Sequence, residues 1–316
     1  MTVCQLYAKQ IRHRGNVRYN TKNGRKRLMK LLEEDKLGGC PIDSVKLSDA
    51  KEWAIRMKEK GISYKTISND KRSLKAAFYT AIQDDCIRKK PFDFQLNTVI
   101  EDDTEPKVAL TPAQEESFLS FAQNDKVYQK YYDELIILLG TGFRISELCG
   151  LTDTDIDFEN RIINVDHQLL RSAETGYYIE TPKTKSGIRQ IPMSEKVYEA
   201  FNRVLKRSRG AKAVTIDGYS NFLFLNRDGY PKTATNYDGM FRGHAKKYNK
   251  YHEEALPKVM TPHTLRHTFC TNMANAGMNP KALQYITGHS NITMTLNYYA
   301  HATFDSAKAE MLRIAA

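Results

Sequence analysis

Between residues 93 and 108 the chain changes character, and that change restricts it to a two-part fold. Pro91 opens the break, and the acidic run Glu101-Asp102-Asp103-Thr104-Glu105-Pro106 completes it. Clustered like charge beside proline disfavours both helix and strand. The expectation is a helical domain over 1–92, a linker over 93–108 and a second domain over 109–316. The 316 residues suffice for two domains with at least one sizeable core.

Charge divides at the same place. Residues 1–92 hold 22 Lys/Arg against 10 Asp/Glu, and the rest of the chain holds 26 against 27. The whole net charge of +11 therefore sits in the first part. A basic unit joined to a nearly neutral one suits a polyanion clamp tethered to a second unit, although it also suits a merely soluble surface.

The basic part reads as helical. Ser48 can cap a helix running to Lys60, with Gly61 as its stop, and Ser63 can cap a longer one. Ile67, Leu74, Phe78 and Ile82 recur at spacings of seven and four, an apolar stripe. Lys65, Lys71, Arg72 and Lys75 lie on or beside the opposite side, as a solvated face or a DNA-facing one.

The second part mixes element types. Thr111-Pro112-Ala113-Gln114 supplies an N-cap, a first-turn proline and a capping-box glutamine. A helix near 127–139 ends at Gly140-Thr141-Gly142, and another starts near Ile145. Strand-like runs follow at 161–166, 175–183 and 188–193, the last two flanking a turn at Thr184-Lys185-Ser186-Gly187 that reads as a hairpin. Helices and one short strand at 221–225 complete the chain. The fold class is α+β: an all-helical N-terminal domain, then a mainly helical domain with a small antiparallel sheet.

Cys4, Cys40, Cys86, Cys149 and Cys270 are scattered and odd in number, without metal-ligand spacing. Free thiols and no metal are expected. No apolar run approaches 18 residues, so no membrane partner is expected.

Four clusters carry chemistry. In Thr141-Gly142-Phe143-Arg144-Ile145-Ser146-Glu147-Leu148, glycine precedes a helix start bearing an arginine, whose fixed fork can grip two phosphate oxygens. In Thr261-Pro262-His263-Thr264-Leu265-Arg266-His267, His263 and Arg266 share one face near a helix N-terminus, where an anion is favoured. Gly288-His289-Ser290 is followed by Thr295-Leu296-Asn297-Tyr298-Tyr299-Ala300-His301, a histidine that can donate and a tyrosine that can be a nucleophile. The turn Pro182-Lys183-Thr184-Lys185-Ser186-Gly187 offers a lysine that can give a proton to a leaving oxygen. Each alone also fits an unremarkable reading: a surface arginine, a capped helix, a packed tyrosine pair, a solvated turn lysine.

Together, in this order, they resemble the tyrosine recombinase family, which presents an Arg-box, a hairpin lysine, His-x-x-Arg, Gly-His and a terminal tyrosine. The resemblance spans the whole chain and is most specific over 140–301. The Lys-Thr-Lys-Ser-Gly turn looks most like the integrases of integrative and conjugative elements and related prophages. The resemblance implies that Arg144 and Arg266 bracket a scissile phosphate and that His263 and His289 bond its oxygens. It also implies that Lys183 protonates the leaving 5′ oxygen and Tyr299 attacks phosphorus, with no metal or cofactor. Tyr299-Ala300-His301 matches the family's Tyr-x-His ending; members with a shorter spacing would select Tyr298. Pro182-Lys183 resembles the strand end that delivers the lysine, and Lys185 is the alternative.

The basic domain resembles the family's core-binding domain, so Lys65, Lys71, Arg72, Lys75 and Lys185 become candidate contacts to double-stranded DNA. The expected partners are DNA, further copies of the chain as dimer to tetramer, and an accessory excision protein. The expected location is the bacterial cytoplasm, on nucleoid DNA. The core-binding pattern starts at Cys4-Gln5-Leu6-Tyr7, so either the protein lacks the family's arm-binding domain or this sequence is a piece cut from a longer one, and arm-site binding is expected to be absent. Two other readings use the same residues: a type IB topoisomerase-like enzyme that relaxes supercoils, and a non-catalytic DNA-binding regulator. The apolar residues Ala307, Met311, Leu312 and Ile314 suggest a last helix over 303–315.

Overall fold

A computed structural model describes residues 1–15, 17–105, 108–182, 184–208, 214–299 and 311. Lys183, Ala300, His301 and the expected last helix, apart from Met311, lie outside the described residues. The chain forms two compact units, Met1–Pro106 and Lys107–Ala316.

The first unit is helical: α1 Val3–His13, α2 Tyr19–Glu33, α3 Lys36–Gly39, α4 Leu47–Glu59 and α5 Tyr64–Gln83. The stripe on α5 faces inward, with Ile67, Leu74 and Phe78 fully buried. They meet Trp53 of α4 and Phe92, whose rings cross at 5.9 Å. Ser63 occupies the N-cap position of α5, although its hydroxyl donates to the Thr66 side chain and not to the helix backbone, and α4 begins ahead of Ser48. Lys46 is its N-cap, because Asp49 accepts that residue's backbone N–H. Gly61, at φ +78°, follows the end of α4. Phe92, Leu96 and Ile100 are buried in this core. Their apolar side chains draw the first part of the 93–108 segment into the compact unit.

The second unit opens with α6 Pro112–Asn124, capped by the Thr111–Gln114 box. Then come α7 Tyr132–Thr141, α8 Ile145–Gly150, β1 Ile156–Asp157, β2 Ile162–Val165, β3 Gln168–Ser172, β4 Gly176–Glu180 and β5 Arg189–Pro192. The remaining helices are α9 Glu195–Ser208, α10 Ala234–Tyr251, α11 Pro262–Asn275, α12 Pro280–Thr287 and α13 Ile292–Leu296. Leu135, Ile137 and Leu138 are fully buried, which makes α7 the central helix, packed on α9 and α11.

The sheet differs from expectation. β4 pairs with β3 and β5 pairs with β2, all antiparallel, so 175–183 and 188–193 are not a hairpin. Pro182 lacks an N–H for a ladder, and Lys185–Gly187 winds into a 3-10 turn. Around 221–225 there are only isolated bridges, Thr152 with Phe222 and Leu225 with Pro231.

Candidate active site

Arg144 is the N-cap of α8 and Gly142 the left-handed C-cap of α7, at φ +63°. A Cβ on Gly142 would lie 2.4 Å from the Phe269 ring, so both conformation and space require glycine. The tight reversal places Arg144 across from the end of α12. Its Nη2 donates to the carbonyl of Gly288 at 3.0 Å, and Nη1 donates to Glu147 at 2.7 Å.

Arg266 reaches the same place from α11. Its Nη1 donates to the carbonyl of Gly142 and its Nη2 to that of Thr287, each at 2.6 Å. Two guanidinium groups therefore rest on consecutive carbonyls at the C-terminus of α12, where the helix dipole is negative. Burial and then the charge of Arg144 lower the Arg266 pKa to about 10, which leaves it protonated at neutral pH.

Glu147 is the central carboxylate, and almost no solvent reaches it. It accepts from Arg144 and, through both oxygens, from Arg189 at 2.8 and 3.1 Å. Burial opposes ionisation, but the bonds and charge of Arg189, helped by Arg144, bring its pKa below the usual carboxylate value. Three guanidinium groups against one carboxylate leave two positive charges uncompensated within this group.

His289 follows Gly288, which is left-handed at φ +63° and ends α12. The imidazole is buried, and its Nδ1 lies 3.0 Å from the Thr295 hydroxyl. Burial first, then Arg266, Arg144 and Arg189, lowers its pKa to about 4, so it is neutral here. His263 is exposed on the first turn of α11, one turn before Arg266.

The two tyrosines diverge. The ring of Tyr298 lies parallel to His289 at 6.4 Å and edge-on to His267 at 4.9 Å. Burial and Cys270 push its pKa to about 12, with the charge of Arg266 acting the other way. The Tyr299 hydroxyl instead donates to the carbonyl of Met278 at 2.5 Å, and burial raises its pKa.

The structure thus gathers Arg144, Arg266, His289 and Tyr298, while Lys183 lies outside the described residues. The exposed turn residue Lys185 belongs to the segment whose Ser186 carbonyl approaches Gly288. Sequence reasoning gave no role to Arg189, His267 or Cys270. The available signals were spacing: Arg189 alternates with buried Ile191, and His267 and Cys270 lie four residues after His263 and Arg266.

Asp155, Asp166 and His167 also come within 4.8 Å of one another. Both ring nitrogens of His167 already face groups of the protein, Asp166 at 2.6 Å and the Gly150 carbonyl at 2.8 Å.

Residues 109–306 match the phage integrase family model. The chain belongs to the phage integrase family. It is a tyrosine-type site-specific recombinase. The transposases of Tn916 from Enterococcus faecalis and Tn1545 from Streptococcus pneumoniae are each 68% identical to this integrase over 314 residues, 99% of this chain and 77% of theirs. The Tn1549 integrase, solved as residues 82–397 with an arginine-to-lysine replacement and circular intermediate DNA, is 76% identical. It matches with a TM-score of 0.95 over 99% of both chains. The same fragment with a tyrosine-to-phenylalanine replacement, bound to transposon right-end DNA, matches at 0.94 over 100% of both chains. A lambda integrase fragment, 15% identical, shares the fold at 0.62 over 94% of this chain. Among the described residues, no helix is long and apolar enough to cross a membrane.

Proposed function

We propose that this integrase cleaves and rejoins DNA strands for integration and excision of a mobile element, with Tyr298 as nucleophile. The observation that carries the reading is the pair Arg144 and Arg266, held on the adjacent carbonyls of Gly288 and Thr287. The two uncompensated charges match the two negative charges of a pentacoordinate phosphorane.

In the proposed step the Tyr298 oxygen bonds to phosphorus and its proton passes to His263. The bond to the 5′ oxygen breaks, and that oxygen takes a proton from Lys183. His289 donates to a phosphate oxygen. The 3′-phosphotyrosyl bond retains the phosphodiester energy, so the reverse attack by a 5′ hydroxyl rejoins the strand.

Two observations favour Tyr298 over Tyr299. Tyr298 lies among His267, His289 and the field of Arg266, whereas the Tyr299 hydroxyl is bonded to Met278. The solved Tn1549 fragment has the same 316-residue length as this chain, and its replaced arginine and tyrosine stand at its positions 144 and 298.

The first unit would grip the DNA backbone through Lys65, Lys71, Arg72 and Lys75, with Lys185 assisting from the second. The partners are double-stranded DNA, further copies of the chain up to a tetramer and an accessory excision protein. The site of action is the bacterial cytoplasm, on nucleoid DNA. The test is peptide mapping of the adduct trapped on a nicked duplex. A phosphotyrosyl peptide at Tyr298, lost in Tyr298→Phe and kept in Tyr299→Phe, supports the reading; an adduct at Tyr299 overturns the nucleophile, and no adduct overturns the chemistry.

A further inference from the structure

We propose that Arg189 is a positioning residue that locks the lysine-bearing turn onto the phosphate-binding arginines. The proposal rests on the reading of Lys183 as the general acid.

Arg189 opens β5, and its side chain is wholly withdrawn from solvent. Nε donates to the carbonyl of Ile286 at 2.6 Å, Nη1 to that of Gly187 at 3.0 Å, and Nη1 and Nη2 to the two oxygens of Glu147. Three separate elements thus meet on one planar group. Glu147 fixes Arg144; Ile286 lies in the last turn of α12, whose end receives both Arg144 and Arg266; Gly187 belongs to the turn that follows Lys183. A fixed fork makes these bonds at once, and a lysine ammonium cannot reproduce them.

The turn is fitted as well as bonded. A Cβ on Gly288 would lie 2.9 Å from the Ser186 carbonyl and 3.2 Å from Arg189 Nη1. A Cβ on Gly187 would lie 2.3 Å from Cβ of Pro182, the residue before Lys183. Glycine at both positions lets the turn settle against the C-terminus of α12. With no β4–β5 ladder, the bond from Arg189 to Gly187 and this packing tie the turn to the site.

A buried arginine bonded in this way would support the fold in any case, so the test must isolate proton delivery. Covalent adduct formation is measured with the full chain on a nicked duplex and on the same duplex carrying sulfur in place of the scissile 5′ bridging oxygen. A thiolate leaves without a proton, so a defect in the acid disappears on sulfur. Arg189→Lys, which keeps a charge opposite Glu147, is expected to lose roughly 100-fold on oxygen, the lower range for general acid catalysis, and to recover on sulfur. Gly187→Ala, which displaces the turn without touching Glu147 or Arg144, is expected to behave alike and serves if Arg189→Lys does not fold. Equal losses on both substrates, or no loss on oxygen, would overturn the proposal. Lys183→Ala separates the two readings: if it does not recover on sulfur, the lysine assignment itself fails.

Discussion

Arg266 donates to the carbonyl of Gly142 at 2.6 Å, so the helix carrying one arginine of the candidate site is bonded to the reversal that launches the other, Arg144. The two arginines are 122 positions apart in sequence. Their spacing is nevertheless fixed by one hydrogen bond and by the left-handed turn that exposes the accepting carbonyl.

Gly142→Ala should therefore damage stability and site together. A side chain at φ +63° costs about 1–2 kcal/mol, and displacing the Phe269 ring about 1–3 more. A loss of about 2–5 kcal/mol in urea unfolding is expected, with a large fall in adduct formation. Stability equal to the parent would contradict the strain argument.

Glu147→Gln should be more damaging than its surface counterparts. The carboxylate is buried and neutralises part of three guanidinium charges, and removing one partner of a buried ion pair costs about 3–5 kcal/mol. By contrast, Glu195→Gln, at an exposed pair with Arg161, should cost under about 1 kcal/mol. Comparable losses for the two variants would show that Glu147 is not the centre of the network.

Local signals made much of this site legible. Thr111-Pro112 and Thr261-Pro262 each announce a helix start, and Gly142 and Gly288 each mark an end that needs a left-handed residue. These sit beside Arg144, Arg266 and His289, so the chemistry lies next to punctuation. Strand pairing was not legible: β3 partners β4 because the chain turns at 173–175, and nothing local to 175–193 reveals that competitor. Arg189 was also hidden, since composition makes an arginine look exposed and only the surrounding fold supplies Glu147. The tyrosine was ambiguous because adjacent residues on a short helical turn point differently, and only the contacts of the fold, Tyr299 to Met278 and Tyr298 beside His289, favour Tyr298 in the proposed reading.

Stability should fall between about pH 6.5 and pH 4. His244 is caged by Phe118, Phe121 and Tyr128, and neither ring nitrogen has a hydrogen-bond partner among the described residues. Burial lowers its pKa from 6.5 to about 4. Between those values the unfolded chain binds the proton and the folded chain does not, so stability present above pH 6.5 is lost on acidification, by up to about 1.4 kcal/mol per unit for each such histidine. His289 shares the window, with its pKa also near 4. His244→Leu should flatten the slope of unfolding free energy between pH 7 and pH 5; an unchanged slope would mean that His244 does not titrate with folding.

DNA affinity should depend steeply on salt, and the four α5 cations should not contribute equally. Each phosphate contact releases counterions and adds about −0.9 to the slope of log K against log salt. Lys65 and Arg72 are exposed, whereas Lys75 is bonded to Asp93 at 2.5 Å and Lys71 lies over the Phe94 ring at 4.5 Å. Lys75 must leave a partner before it can meet a phosphate. Lys65→Ala and Arg72→Ala should each reduce the slope by about one and weaken binding to all sequences alike, while Lys75→Ala should change it less. Anisotropy titrations of one duplex across a salt series measure this directly. An equal effect for Lys75→Ala would mean that the Asp93 pair opens on DNA, and a flat salt response in the parent protein would remove the first unit from the role of backbone clamp.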